Sequence, residues 1–410
     1  MSKDKGNKQM LMLSSRWIYP LDAGYKMRIH YIAKVLSKLY KIDLLCLEPT
    51  GYLPQDISFE NIITFPFNKP KIALDILKNF RKGWPLQVSG YYDKQVEDFL
   101  EKNIKNYDLI YINHVRLAPY GFGFKLSNIL KVIDYHDAIS MNYRESVRYA
   151  KGLWKLFYKF ESGRLLNLEE MALDIFDLSL ITSKVDKEYL LKNANGKLQQ
   201  NLEVIPMGVR EEVLNYPETR EEKPWIVMLG KMSYYPNYEG AMFFIKEVFP
   251  ILLKKFDWLE LYIVGSNPPK DLKKFDGKNG IHVIGFVEDP WYYVARSLVT
   301  VAPIRMGAGI QNKVLEAMAL GKAVVGTNKA LQGLNMGIDE KHFIRANDAK
   351  EFVNKISYLV ENKNIRKDIG LNAKNLIRDH FTWEVIGERL YNIFSNLENE
   401  AKHEKGDNNE

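Results

Sequence analysis

The chain of 410 residues is long enough for two or three domains, and its hydrophobic content of 46% is that of an ordinary folded protein. Its single cysteine, Cys46, excludes an internal disulfide and lies in an apolar run, where we expect it to belong to the core. The net charge of +7 arises in the first half, where residues 1–200 hold 30 basic and 22 acidic side chains, a balance that suits an anionic partner or a solvated basic surface.

The first half of the chain alternates short apolar runs with longer stretches of helical periodicity. Residues 28–39, for example, repeat apolar side chains at helical spacing and are predicted to form a helix. Such alternation is typical of a parallel sheet covered by helices on both faces. The predicted strands are Met10–Ser14, Ile42–Leu47, Leu109–Asn113, Lys131–Tyr135, Leu178–Thr182 and Glu203–Pro206.

A charged stretch with two prolines, residues 210–224, follows and is predicted to be a linker. The alternating pattern then restarts, with helices predicted at Phe243–Leu253 and Gln311–Leu320. The sequence therefore predicts an α/β protein with two doubly wound domains in tandem. The predicted strands of the second half are Trp225–Leu229, Leu259–Val264, Ile281–Ile284, Leu298–Ala302 and Ala323–Gly326.

The loop after the strand at Leu298–Ala302 carries the most informative chemistry. Bare backbone at Gly307 and Gly309 precedes a helix N-terminus, an arrangement that binds anions through free N–H groups. Arg305 and Lys313 add positive charge, and Glu316 on the second helical turn is suited to accept hydrogen bonds from a ribose diol. The alternative is an ordinary glycine turn, with Glu316 as a surface charge.

Four segments resemble, in the right order, the glycosyltransferases of family 4, and most closely a bacterial branch associated with exopolysaccharide synthesis. The longest match is GIQNKVLEAMALGKAVVGT, at Gly309–Thr327. The others are Leu11–Leu47, Gly230–Pro250 and Phe381–Ile393. The resemblance implies the GT-B fold, in which two Rossmann-like domains face a central cleft. It divides the chain into an acceptor domain (1–207), a linker (208–224), a nucleotide-sugar domain (225–381), a closing helix that packs back on the first domain (382–400) and a disordered tail (401–410).

The resemblance also implies roles for individual residues. Glu316 aligns with the second glutamate of the family's pair, which holds the donor ribose, and the first glutamate is replaced by Ala308. His136 resembles the family's histidine near the transferred sugar and is the candidate catalytic residue. The residues expected at the donor phosphates are Gly24, Lys231, Arg305, Gly307, Gly309, Ile310 and Lys313.

The activity implied by the resemblance is retaining sugar transfer from a nucleotide diphosphate, a UDP- or GDP-sugar, to a glycan or polyprenyl-linked acceptor. No metal-ligand motif is present in the sequence, so we expect no metal and no cofactor other than the donor. Two alternatives stay open, a nucleotide-sugar 2-epimerase and a non-catalytic partner that binds donor. An NAD-dependent enzyme is disfavoured because no Gly-x-Gly-x-x-Gly follows the first strand.

The segment Asn68–Pro85 suggests where the protein works. This segment contains five basic residues, from Lys69 to Lys82, and a single acidic residue, and apolar residues recur among them up to Trp84. This composition suits the interface of an anionic membrane, although the apolar face could instead pack on the first domain. Without a signal-peptide core or an apolar run of about 18 residues, the sequence predicts a cytoplasmic protein, peripheral at the membrane, with no nucleic-acid partner.

Overall fold

The computed structural model describes residues 8–49, 51–54, 58–65, 76, 79, 83–122, 129–193, 201–219, 221–307 and 310–407. These residues form two compact units. The first contains residues 1–206 together with 386–410, and the second contains residues 207–385. Each unit is built around its own sheet, as the tandem pattern predicts.

A seven-stranded parallel sheet forms the centre of the first unit, with the strand order β3-β2-β1-β4-β5-β6-β7. Its inner strands consist almost entirely of buried residues, because helices cover both faces and leave no polar face. The order reverses between β1 and β4, which makes the loops after these two strands the expected ligand site. The strands are β1 Gln9–Ser14, β2 Lys41–Cys46, β3 Asn61–Thr64, β4 Leu109–Asn113, β5 Leu130–Asp134, β6 Leu178–Ile181 and β7 Leu202–Val204.

The helices of the first unit connect these strands. The connection between β5 and β6 consists of two long helices, Ile139–Tyr149 and Leu153–Ile175. Cys46 lies at the end of β2 and is buried, as predicted. The helices are α1 Gly24–Leu36, α2 Leu86–Ser89, α3 Lys94–Asn103, α4 Pro119–Phe122, α5 Ile139–Tyr149, α6 Leu153–Ile175 and α7 Lys184–Asn193.

The second unit has a six-stranded parallel sheet with the order β10-β9-β8-β11-β12-β13. The order reverses between β8 and β11, so this sheet repeats the topology of the first. The loop singled out in the sequence follows β11 and therefore lies at the reversal. The strands are β8 Trp225–Leu229, β9 Glu260–Val264, β10 Ile281–Gly285, β11 Val299–Ala302, β12 Val324–Gly326 and β13 Ile344–Arg345.

Helices of the second unit include one interrupted by a π-helical turn. That turn, Phe244–Val248, separates α9 from α10, and Pro250 in the first turn of α10 explains it, because a proline cannot donate the regular backbone bond. The helices are α8 Glu211–Leu214, α9 Tyr235–Phe243, α10 Phe249–Lys255, α11 Lys270–Lys273, α12 Trp291–Arg296, α13 Asn312–Ala319, α14 Asn328–Leu331, α15 Ala349–Glu361 and α16 Lys363–His380. The last helix, α17 Trp383–Asp407, begins in the second unit and belongs to the first unit from Ile386 onward.

The structure differs from the predicted boundaries at two places. Residues 208–224, predicted to be a linker, belong to the second unit, where Val213 is buried and Arg366 pairs with Glu222 at 3.1 Å. Residues 401–407, predicted to be a disordered tail, continue α17, and 408–410 lie outside the described residues. Residues 386–407 of this helix cluster with the first unit, where Phe394 packs beside Tyr40 and Tyr111.

Two predictions from the sequence concern membranes. Of the segment Asn68–Pro85, only residues 76, 79 and 83–85 are described, so its five basic side chains lie outside the described residues. Over the described ranges, no helix combines the length and the apolar character needed to cross a bilayer.

Candidate functional site

The loops after β8 and β11 meet at the carboxyl edge of the second sheet. A Cβ at Gly240 of α9 would lie 2.6 Å from the carbonyl oxygen of Pro303, so glycine allows the helix after β8 to contact the loop after β11. Gly307 has a φ of 112°, and a Cβ there would lie 3.4 Å from the hydroxyl of Tyr234. The segments after β8 and β11 therefore contact each other, and the second leads into α13, whose first N–H groups have no partner within the helix.

Lys313, in the first turn of α13, is fixed by the helix after β8. Its ammonium donates to Asn237 Oδ1, while Asn237 Nδ2 donates to the carbonyl of Lys231 at 3.0 Å. Asn237 itself is buried, and its side chain links α13 to the loop after β8. Burial lowers the pKa of Lys313 to about 7, so the ammonium is only partly charged near neutrality and would gain charge beside an anion.

Glu316 lies three residues further along α13, on the same side of the helix as Lys313. It is almost fully buried, and both carboxylate oxygens accept hydrogen bonds. Arg210 donates to Oε1 from Nη2 at 2.7 Å and from Nε at 3.2 Å, and Trp291 Nε1 donates to Oε2 at 3.3 Å. The guanidinium also stacks 4.8 Å from the Trp291 ring centroid, so the carboxylate is held in one orientation.

The other predicted phosphate ligands of this unit have differing surroundings. Arg305 forms an ion pair with Glu239 of α9 and stacks 4.5 Å from the Phe243 ring centroid, so it would have to leave Glu239 to contact a phosphate. The Lys231 side chain is exposed at the start of the loop after β8. Ile310 packs its side chain against Gly333, which anchors the backbone just before α13. Gly309 and Ala308 lie outside the described residues.

In the first unit, His136 follows β5 and has a φ of 63°, a left-handed conformation that is uncommon for residues with a side chain. The structure holds this turn in place, since Thr182 donates to the His136 carbonyl from N at 3.0 Å and from Oγ1 at 2.6 Å. Its Nε2 donates to Asn113 Oδ1 at 2.6 Å. Burial lowers the pKa of His136 to about 4, so the ring is neutral and Nδ1 retains its lone pair.

A cavity of about 390 Å³ in the second unit lies away from these loops, whereas a smaller one, about 210 Å³, opens at His136. Sequence reasoning missed most residues that surround the smaller cavity. His114, directly after β4, also has a positive φ of 87°, and its ring centroid is 5.7 Å from that of His136. The sequence contains a signal for His114, because it directly follows the predicted strand Leu109–Asn113, just as His136 follows the predicted strand Lys131–Tyr135. The cavity residues are Ser15, Arg16, Tyr25, Asn113, His114, Arg116, His136 and Asp137.

A buried ion pair lies beside His136, which borders this cavity. Arg28 in α1 donates from Nε to Asp134 at 2.6 Å, and Tyr111 donates to the same oxygen at 2.8 Å. Burial alone would raise the pKa of Asp134, but the Arg28 guanidinium holds it below its usual value. Asp134 also accepts from the His136 backbone N–H at 3.2 Å, so the pair positions the histidine. Gly24, the predicted phosphate contact, is the first residue of α1.

Comparison with known proteins gives partial matches in sequence. Residues 223–362 match the family described as Glycosyl transferases group 1. An uncharacterized glycosyltransferase of Methanocaldococcus jannaschii is 28% identical over 240 residues, which cover 54% of this chain and 59% of that protein. A Campylobacter jejuni N,N'-diacetylbacillosaminyl-diphospho-undecaprenol alpha-1,3-N-acetylgalactosaminyltransferase is 22% identical over 320 residues, 73% of this chain and 80% of its own. The chain thus spans less than two thirds of the first of these relatives.

Solved structures match over nearly the whole chain. Sucrose-phosphate synthase from Thermosynechococcus elongatus has a TM-score of 0.68 at 18% identity and covers 95% of this chain and 99% of its own. The Anabaena protein HepE, in complex with UDP, has a TM-score of 0.63 at 14% identity and covers 95% of this chain and 100% of its own. The two parallel sheets, each with a reversal of strand order, and these structural matches identify the chain as a GT-B-fold protein, and its residues 223–362 match the glycosyl transferases group 1 family.

Proposed function

We propose that the protein is a retaining, metal-independent glycosyltransferase that moves a sugar from a nucleotide diphosphate to a glycan or lipid-linked acceptor. The observation that carries the proposal is the first half of α13. There a helix N-terminus, Lys313 and Glu316 present an anion site and a fixed carboxylate within two turns, as a nucleoside diphosphate requires.

Each group has a distinct part in donor binding under this proposal. The N–H groups at the start of α13 and the Lys313 ammonium receive the diphosphate, and Arg305 joins them on leaving Glu239. The buried carboxylate of Glu316 accepts hydrogen bonds from the ribose hydroxyls, in the orientation that Arg210 and Trp291 impose. The HepE structure in complex with UDP supports a uridine nucleotide as the first ligand to test.

The chemical step then depends on stabilising the leaving diphosphate. Positive groups aimed at the phosphate oxygens lower the barrier by meeting charge as it develops, and they do so without a metal ion. The neutral His136 ring accepts a hydrogen bond from a hydroxyl of the transferred sugar through Nδ1. The acceptor hydroxyl attacks the anomeric carbon from the face that the diphosphate leaves, and its proton passes to the leaving phosphate oxygen. This route retains the anomeric configuration and needs no protein nucleophile.

The proposed acceptor is carried at a cytoplasmic membrane surface. The name of the Campylobacter relative, which contains diphospho-undecaprenol, supports a polyprenyl diphosphate acceptor. We further propose that Lys69–Trp84 contributes charge that holds the protein at anionic lipid. Changing Lys78, Arg81 and Lys82 together to glutamate should lower co-sedimentation with phosphatidylglycerol vesicles, and equal binding of the variant and wild-type proteins would remove this segment from the proposal.

Isothermal titration of the full chain with UDP, GDP and their sugars tests the donor proposal first. Saturable binding of one nucleotide sugar supports it, and no binding of any of them contradicts it. Incubation of the bound sugar with and without a polyprenyl-diphosphate glycan then separates the alternatives. A new sugar formed without acceptor identifies an epimerase, and donor binding without turnover identifies a non-catalytic partner.

A further inference from the structure

The connection between β5 and β6 carries an exposed surface at its tip that is not part of the proposed donor site. Helices α5 and α6 form a hairpin joined by residues 150–152, and Tyr143 packs against Phe157 and Tyr158 with ring centroids 6.3 and 5.2 Å apart. Beyond this contact, apolar side chains of α6 are exposed to an unusual degree. Leu153 is 84% exposed, Leu156 65%, Trp154 64% and Phe160 56%. We call residues 144–160 the hairpin tip.

Apolar and basic residues of the tip are arranged in stripes. Leu153, Leu156 and Phe160 are spaced three and four apart, so they follow one line along α6. Lys155 and Lys159 are exposed on the flank of that line. In total the tip contains five basic residues (Arg144, Arg148, Lys151, Lys155 and Lys159) and one acidic residue, Glu145.

The tip projects from the same edge of the sheet as the His136 cavity. Ser140, at the start of α5, donates from N to Glu169 of α6 at 3.2 Å, which fixes that part of α6 beside the end of β5. At about 1.5 Å per residue, Leu153 lies roughly 24 Å along the helix from Glu169. The far half of α6 packs on the sheet through Leu165, Leu168 and Ala172, whereas the tip has no such cover.

The tip also lies beside the end of the basic segment identified in the sequence. Arg164 of α6 donates to the carbonyls of Gly83 and Trp84 and stacks 5.2 Å from the ring centroid of Phe160. Glu161 accepts from the backbone N–H of Leu86 at 2.7 Å. The chain that leaves Lys69–Lys82 is thus attached to α6 within one turn of the exposed apolar stripe.

We propose that the hairpin tip inserts into the headgroup region of an anionic lipid bilayer. Exposed Leu, Trp and Phe with flanking lysines are the composition of helices that lie at a membrane interface, where the lysine stems extend toward lipid phosphates. Lysine is depleted at the centre of protein interfaces, which favours lipid over a protein partner. The tip presents the His136 edge of the first unit to the bilayer, and this consequence alone rests on the proposed transfer to a lipid-linked acceptor.

Vesicle co-sedimentation of the full chain tests the surface directly. The wild-type protein should bind phosphatidylglycerol vesicles, bind phosphatidylcholine vesicles weakly and dissociate at high salt. The double variants Leu153→Ser with Leu156→Ser, and Lys155→Glu with Lys159→Glu, should each reduce the partition coefficient at least about tenfold. The matched controls are Leu371→Ser, at a leucine that is 57% exposed in the second unit, and Lys273→Glu with Lys274→Glu, and neither should change binding.

Fluorescence provides a second measurement that does not depend on the folding of these variants. Brominated phosphatidylglycerol should quench part of the wild-type tryptophan emission, and Trp154→Phe should remove that part. Tip variants that bind vesicles as the wild type does would overturn the proposal. Self-association that the leucine variant abolishes, in a protein that never binds vesicles, would instead make the tip an interface between copies. Calorimetry with UDP-sugar should be unchanged in the tip variants, so a failure of donor binding and a failure of lipid binding are separate results.

Discussion

Both carboxylate oxygens of Glu316 are held by hydrogen bonds, one oxygen by Arg210 and the other by Trp291. If its carboxylate receives the ribose, Glu316→Ala should weaken nucleotide-sugar binding about tenfold to a hundredfold, because a charged hydrogen-bond acceptor is lost. Calorimetry measures the change. Arg210→Gln should weaken binding less, since Glu316 keeps its charge and loses only the group that orients it.

A matched control for this prediction lies at the opposite edge of the same sheet. Glu260, at the start of β9, accepts from Trp225 Nε1 at 2.9 Å, much as Glu316 accepts from Trp291. Glu260→Ala should therefore cost comparable folding stability and leave donor affinity unchanged. An equal loss of affinity in both variants would mean that Glu316 acts through stability and does not contact the donor.

If Lys313 binds the donor diphosphate, donor binding should depend on pH. Its pKa of about 7 in the free protein should rise when a diphosphate binds, so binding takes up a proton and is strongest below pH 7. At a pH one unit above the pKa of Lys313, affinity for a nucleotide sugar should be about tenfold lower than its limiting value at low pH. A nucleotide sugar is the right ligand because both phosphates are esterified and neither titrates near pH 6.

Calorimetry in buffers of different ionisation enthalpy measures the proton uptake that this mechanism requires. Lys313→Arg keeps the positive charge at every pH, so its affinity should be independent of pH across this range. Lys313→Ala should weaken UDP more than UMP, because the second phosphate loses its partner. A wild-type affinity that does not change between pH 6 and 8, about one unit on each side of the pKa, would exclude a titrating Lys313 from the site.

We expect His136 to contact the transferred sugar and not the nucleotide. His136→Asn tolerates the left-handed backbone and removes the imidazole, so it should lower turnover about tenfold and leave UDP affinity within twofold of the wild type. Because the pKa of His136 is about 4, the imidazole should contribute no change in turnover between pH 6 and 8. A parallel loss of turnover and UDP affinity would assign His136 a structural part.

At the scale of elements, the turn that leads into α13 depends on a glycine. Gly307 has a φ of 112° and lies beside Tyr234, so Gly307→Ala should destabilise the second unit by about 1–3 kcal/mol and weaken donor binding. Gly277 offers a control, with a φ of 72° and open space around its Cβ position. Gly277→Ala should lower the thermal midpoint without changing donor affinity, and an equal effect of both on affinity would contradict a specific part for the Gly307 turn.

The strands buried on both faces could be predicted from the sequence, and so could the edge strands β7 and β10, whereas the edge strands β3 and β13 could not. β1, β4, β8 and β11 are continuous apolar runs, and their parallel pairing places the loops after them together. β3 has an exposed and half-buried pattern, and β13 has two residues, so neither produces a distinct hydrophobic signal. The pairs Arg28–Asp134 and Arg210–Glu316 each join residues 106 positions apart, and local spacing carries no information about such contacts.

At the scale of the whole molecule, the proposal requires both units to respond to the donor, but in different ways. UDP alone should slow amide hydrogen exchange in peptides from residues 230–237 and 303–315, because its contacts lie in the second unit. A UDP-sugar should protect these peptides and, in addition, those containing residues 14–17, 113–116 and 136, since the sugar is expected to meet His136. Peptides from α16 serve as the internal reference for global stabilisation, which any tight ligand produces.

The informative result is the difference in protection between UDP and the UDP-sugar. Stabilisation by mass action slows exchange in every peptide that opens by global unfolding, so protection by one ligand alone does not locate its contacts. Protection of the first unit by the UDP-sugar but not by UDP assigns the sugar to the cavity at His136. The same comparison in His136→Asn should show the second-unit protection intact and the first-unit protection reduced. Identical protection patterns for UDP and UDP-sugar in the wild-type protein would mean that the first unit does not contact the transferred sugar, and His136 would then have no direct part in transfer.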